Sequence, residues 1–132
     1  MQGSNTNTKS IDFEKGIAEY REDGIVYICY KEGTVIDPAL QLEMHDMFLQ
    51  LCDGKKPPFL FSAMDYVTVT KEGRENAKKM EPIFPGSAVA VLADSVAYRL
   101  IANFYLKVQR PKVPYRVFNN EELAVNWLKT FL

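Results

Sequence analysis

The sequence predicts a single α/β domain built on a mostly parallel sheet, and three observations carry that prediction. Glu22-Asp23-Gly24 separates two strand-like runs, Ile17 to Arg21 and Ile25 to Tyr30. Asp-Gly between β-rich segments is a strong short-range hairpin signal. Beyond the hairpin, helical and strand patterns alternate to the end of the chain, and strands separated by helices pair in parallel through right-handed crossovers. The apolar run Ser87-Ala88-Val89-Ala90-Val91-Leu92-Ala93 lacks the alternation of a half-solvated strand. It reads as a strand buried on both faces.

The elements follow in order. Residues 1–14 open with Met1-Gln2-Gly3-Ser4-Asn5-Thr6-Asn7-Thr8-Lys9-Ser10, which lacks the apolar centre of a secretory signal and reads as a disordered polar tail. The domain is expected over residues 15–132. After the hairpin, Asp37 followed by Pro38 starts a helix with an N-cap and a proline at its first position. Its apolar stripe is Leu40, Met44, Met47, Phe48 and Leu51, and Gly54 with Pro57-Pro58 ends it. Phe59 to Ala63 is a short buried strand. Thr70 caps a charged helix to Met80, and a Pro82–Gly86 loop leads to the apolar strand. Asp94 or Ser95 caps the next helix, to Arg110. Tyr115 to Phe118 is the last strand. Asn119 is expected to cap the final helix, with Glu122 completing a capping box. On that helix Ala124, Trp127, Leu128 and Phe131 share the face expected to meet the sheet. The predicted order is ββαβαβαβα, an N-terminal antiparallel hairpin and then parallel strands.

Composition bounds the function. The chain has 132 residues, 47% hydrophobic and 25% charged, which is ordinary for one globular domain. Sixteen basic and seventeen acidic residues give a formal charge of −1, so no overall field attracts nucleic acid. No stretch approaches the roughly eighteen apolar residues of a membrane-spanning helix. Only two cysteines occur, Cys29 and Cys52, with no metal-ligand spacing around them. The expectation is a cytoplasmic protein without integral membrane association, metal or cofactor.

The pattern Arg99-Leu100-Ile101-Ala102-Asn103-Phe104, then Tyr115-Arg116-Val117-Phe118, then Ala124-Val125-Asn126-Trp127-Leu128, taken with the leading hairpin, resembles small bacterial STAS/SpoIIAA-like proteins. That resemblance implies the fold of anti-sigma-factor antagonists, more distantly that of SEC14-type lipid-binding domains, over roughly residues 15 to 132. In the phosphorylated antagonists the loop after the central strand carries an Asp-Ser-Ser or Asp-Ser-Thr element. Here it reads Ala63-Met64-Asp65-Tyr66-Val67-Thr68-Val69-Thr70, without the serine, so the phospho-switch does not carry over.

Ligands of open α/β sheets favour the crevice beyond the carboxyl ends of the parallel strands. Asp65, Thr68, Asp94 and Ser95 fall at those ends and are the candidates for ligand binding or modification. Each also suits a turn or a helix cap. His45, the only histidine, falls towards the polar flank of its helix with no partner for a triad. Lys107, Arg110, Lys112 and Arg116 suit the carboxyl end of a helix. Lys71, Arg74 and Lys78 form a solvated stripe, with Glu75 and Lys79 spaced as an i,i+4 pair. On the Ser95–Arg110 helix, Tyr98, Ala102 and Tyr105, with Leu106 at the margin, lie opposite the apolar face. This stripe predicts an interface, most simply a homodimer. Leu42 and Leu49 repeat the pattern more weakly on the helix from Pro38.

The expected function is therefore a non-enzymatic binding or regulatory module with a protein partner or ligand. One alternative is SEC14-like binding of a hydrophobic ligand among Met44, Met47, Phe48, Phe61, Phe84 and Phe104. The other is a small enzyme using the Asp65 and Asp94 edge.

Overall fold

The computed structural model describes residues 9–93 and 112–132. A six-stranded sheet forms its centre, in the spatial order β1-β2-β3-β5-β7-β8. The strands are β1 (Lys9–Phe13), β2 (Gly16–Tyr20), β3 (Val26–Tyr30), β5 (Phe59–Ala63), β7 (Val89–Leu92) and β8 (Tyr115–Phe118). β1, β2 and β3 form an antiparallel meander. β3, β5, β7 and β8 run parallel. The Glu22-Asp23-Gly24 turn makes the predicted hairpin. Gly24 takes φ +87°, and Asp23 accepts from the Ile25 amide while pairing with Arg21 at 2.7 Å. Gly16 permits the close crossing of β2 and β3, because a Cβ there would lie 2.1 Å from the Cys29 carbonyl oxygen.

Two short parallel strands, β4 (Val35–Ile36) and β6 (Thr68–Val69), form a second sheet beyond the carboxyl end of the first. Each runs straight into a helix. β4 leads through the Asp37 cap into α1 (Pro38–Cys52), and β6 through the Thr70 cap into α2 (Lys71–Met80). Both caps are made as predicted. Asp37 accepts from the Leu40 amide at 2.9 Å and Thr70 from the Gly73 amide at 2.9 Å. Pairing β4 with β6 therefore launches α1 and α2 side by side. Gln41 donates to the Gly73 carbonyl and accepts from Asn76, tying the two helices together. Asp53, with φ +47°, closes α1.

The sheet separates two cores. On one face Ala18, Val26, Ile28, Phe59, Val89 and Val91 meet the predicted α1 stripe of Leu40, Met44, Met47, Phe48 and Leu51. On the other face Ile25, Leu60, Ala88 and Ala90 meet Ala124 and Leu128 of the last helix, α3 (Glu121–Lys129). Trp127 and Phe131 complete that contact as half-buried residues. Trp127 packs on Phe118 with ring centroids 5.7 Å apart and on Phe131 at 4.9 Å. The Arg116 guanidinium lies over both Phe118 and Trp127.

Three expectations change. The tail expected over residues 1–14 is not found over its second part, because Lys9–Phe13 is a strand whose five residues pair with β2. Its Ile11 and Phe13 pack on the core while Lys9, Ser10 and Asp12 face water. The cap of α3 is Asn120 rather than Asn119. Asn120 has the extended backbone of an N-cap and accepts from the Leu123 amide at 3.0 Å. Leu123 thus stands third in the helix and Glu122 second, so the predicted capping box is not formed. On α2, Glu75 and Lys79 form no ion pair, the described pairs being Lys9–Asp53, Lys15–Glu14 and Arg21–Asp23. The helix predicted from Asp94 or Ser95 to Arg110 lies outside the described residues.

Candidate functional site

The carboxyl edge of the parallel sheet is assembled mainly by the main chain. At the end of β3 the loop Lys31-Glu32-Gly33-Thr34 turns back, with Gly33 at φ +76°. Thr34, buried at 3% exposure, donates its hydroxyl to the Lys31 carbonyl at 2.7 Å. At the end of β5 the next loop lies alongside. The Gly33 amide donates to the Asp65 carbonyl, the Met64 amide to the Tyr30 carbonyl and the Thr68 amide to the Thr34 carbonyl. Two loops distant in sequence are thereby zipped into one rim.

Asp65 and Thr68 both reach this rim, as the strand-end rule predicts. Their side chains are exposed, and the hydrogen bonds joining the loops come from their backbone groups. Asp94 and Ser95, expected at the same edge, lie outside the described residues. So do the interface candidates Tyr98, Ala102, Tyr105 and Leu106, and the basic residues Lys107 and Arg110. His45 is half-buried on the flank of α1. Among the described residues no three histidine, cysteine or carboxylate side chains are grouped to hold a metal ion. No helix among them is long and apolar enough to cross a membrane.

The rim also presents apolar side chains that sequence patterning did not single out. Tyr66 is 80% exposed with φ +63°, and Met64 is 56% exposed. Val35 on the adjoining β4 is 49% exposed. A left-handed backbone is unusual for a bulky residue. At Tyr66 it belongs to the turn between Met64 and Val67, whose side chain packs on the core. The only available hint was an apolar pair, Met64 and Tyr66, where a connecting loop is ordinarily polar. Beside Val35 a polar depression of about 320 Å³ is lined by Glu14, Lys15, Asp37 and Glu43. The Asp37 carboxylate there is already committed to capping α1.

A second depression, about 560 Å³, lies over the other sheet face between β2, β3 and the start of α3. Glu19, Glu22, Asp23 and Glu121 surround it, with Arg21 and Tyr27. Burial, reinforced by a hydrogen bond with Cys29, pushes the Tyr27 phenol up to about 12. On the opposite face, burial pushes the Cys52 thiol up to about 11. A protonated, buried thiol is a poor nucleophile.

Of the residues named for a hydrophobic ligand, Phe48, Phe61 and Phe84 lie in an aromatic cluster completed by Phe59. Phe48 meets Phe59, Phe61 and Phe84 edge-on at 5.0, 6.1 and 6.3 Å, and Phe59 meets Phe84 at 4.7 Å. Phe104, also named for that ligand, lies outside the described residues.

A mostly parallel sheet entered through antiparallel strands, with helices on both faces, defines a SpoIIAA-like α/β domain. The same architecture occurs in an uncharacterized DUF3478-family protein with a SpoIIAA-like fold from Shewanella loihica PV-4. The two share 12% identity over 96% of this chain and 99% of that one, with a TM-score of 0.61. At that identity the likeness concerns the fold. Residues 19–132 match the family model described as a domain of unknown function, DUF7793, and the chain belongs to that family. No curated protein matches the sequence.

Proposed function

We propose that this protein is a non-enzymatic binding or regulatory module that takes a protein partner at the carboxyl edge of its sheet. The exposure of Tyr66 at the tip of that rim carries the reading, with Met64 and Val35 beside it. Tyrosine and methionine are enriched where proteins meet, and an aromatic side chain held on a fixed backbone loses little entropy on docking. The charges flanking them on the rim, Lys31, Glu32 and Asp65, form a polar border around an apolar centre.

Cross-linking from a photoreactive residue placed at Tyr66 tests this in cells of the source organism. The expected result is one dominant protein adduct that disappears when Met64→Glu and Val35→Glu are introduced into the same chain. A residue placed at Glu22, at the other end of the sheet, should give no such adduct. Equal labelling from both positions would overturn the reading. The hydrophobic-ligand alternative predicts instead a lipid mass retained in native mass spectrometry. Against it, Phe48 of its candidate site already packs on Phe61 and Phe84.

A further inference from the structure

The outer surface of the α1–α2 layer combines exposed leucines with a division of charge. Leu42 and Leu49, seven residues apart on α1, are 62% and 50% exposed. They lie opposite the buried stripe of Leu40, Met44, Met47 and Leu51. α1 contains no lysine or arginine, and its exposed acids are Glu43 and Asp46. α2, tied alongside through Gln41, exposes Lys71, Arg74, Lys78 and Lys79 against Glu72 and Glu75, a basic excess. None of these eight charges forms an ion pair among the described residues. A helix of net negative charge beside one of net positive charge makes a surface complementary to its own copy.

We infer that the α1–α2 face is the contact between two copies of this chain in a two-fold dimer. A two-fold axis along the seam between the helices sets each α1 over the partner's α2. A closed two-fold contact requires one self-complementary patch, and opposite charge on the paired helices supplies it. Leu42 and Leu49 then rest on the alkyl stems of lysines, whose ammonium groups reach towards Glu43 and Asp46. Glu43 also lines the depression beside Val35, whereas Leu42, Leu49, Lys78 and Lys79 do not, so the leucine variant separates dimerisation from partner binding at the rim.

Sedimentation equilibrium from about 1 µM to about 1 mM, a span that brackets weak protein contacts, tests the inference. The wild type should dimerise, more weakly as salt rises. Leu42→Glu with Leu49→Glu should give a folded monomer, both sites being exposed. Two charge variants, Glu43→Lys with Asp46→Lys and Lys78→Glu with Lys79→Glu, should each weaken self-association by about tenfold or more. Mixed together they should form a heterodimer, because each then meets opposite charge on both helices. A monomeric wild type, a dimer that survives the leucine substitutions, or a mixture that fails to associate would each overturn the assignment.

Discussion

Gly73 occupies the point where the first turn of α2 touches the end of β4. A Cβ there would lie 2.6 Å from the Ile36 carbonyl oxygen and 3.1 Å from the Thr70 hydroxyl that caps the helix. Alanine in place of a helical glycine ordinarily stabilises by about 1 kcal/mol. Here the obstructing atom is main chain and already accepts from the Thr70 amide, so it yields only by opening the β4–β6 pairing. Gly73→Ala should therefore lower stability by about 1–3 kcal/mol, read as an earlier urea midpoint. A later midpoint would mean the helix moves away freely. Tyr27 and Cys52 each make stability depend on alkaline pH. The ordinary values of 10.0 and 9.0 are raised to about 12 and about 11 in the fold, mainly by burial. Between each pair of values the unfolded chain has released a proton that the folded chain keeps. The unfolded state then binds fewer protons, and stability falls as pH rises. Melting temperature should decline from near pH 9, and Tyr27→Phe should flatten the part of the decline above pH 10. An identical decline in the variant would show that Tyr27 ionises equally in both states.

The helices that sequence reading placed well are those whose ends carry unambiguous chemistry. Asp37-Pro38 and Thr70 cap α1 and α2, and the α1 stripe faces the core as its spacing requires. The two adjacent asparagines before α3 were harder, because either can cap and only the backbone path decides between them. With Asn120 accepting from Leu123, Asn120→Ala should cost about 1 kcal/mol, whereas Asn119→Ala should be nearly neutral. Thermal denaturation of the two variants checks this, and the reverse order would return the cap to Asn119. β4 and β6 were not legible because two residues cannot show a period. β1 was missed because only Ile11 and Phe13 face inward along a stretch otherwise polar. The candidate site divides in the same way. The strand-end rule brought Asp65 and Thr68 to one rim, but the bonds that build the rim are between backbone groups. Tyr66 stands out from the surface through its backbone conformation, which residue type alone does not specify.

At the scale of the whole molecule, the sheet is an inner set of strands covered on both faces, with an added strand at one side. β3 and β5 contribute Ile28, Phe59 and Leu60, all fully buried, whereas β1 meets β2, the flank of α1 and an exposed ion pair from Lys9 to Asp53. The family match spans residues 19–132, beginning inside β2, and does not take in β1. Removing residues 1–14 should accordingly leave a folded domain. Fully burying an isoleucine or phenylalanine side chain is worth about 1.5–3 kcal/mol, and Ile11 and Phe13 are only half-buried. Ordering the strand offsets part of that gain, so the truncated chain should lose about 1–3 kcal/mol. It should also aggregate more readily, because β2 would become an edge whose amides and carbonyls between Gly16 and Tyr20 lose their β1 partners. Circular dichroism, urea unfolding and light scattering of the truncated chain separate the outcomes. An unchanged midpoint would show that β1 adds nothing to the core, and a chain that fails to fold would make β1 integral to the sheet rather than an addition to it.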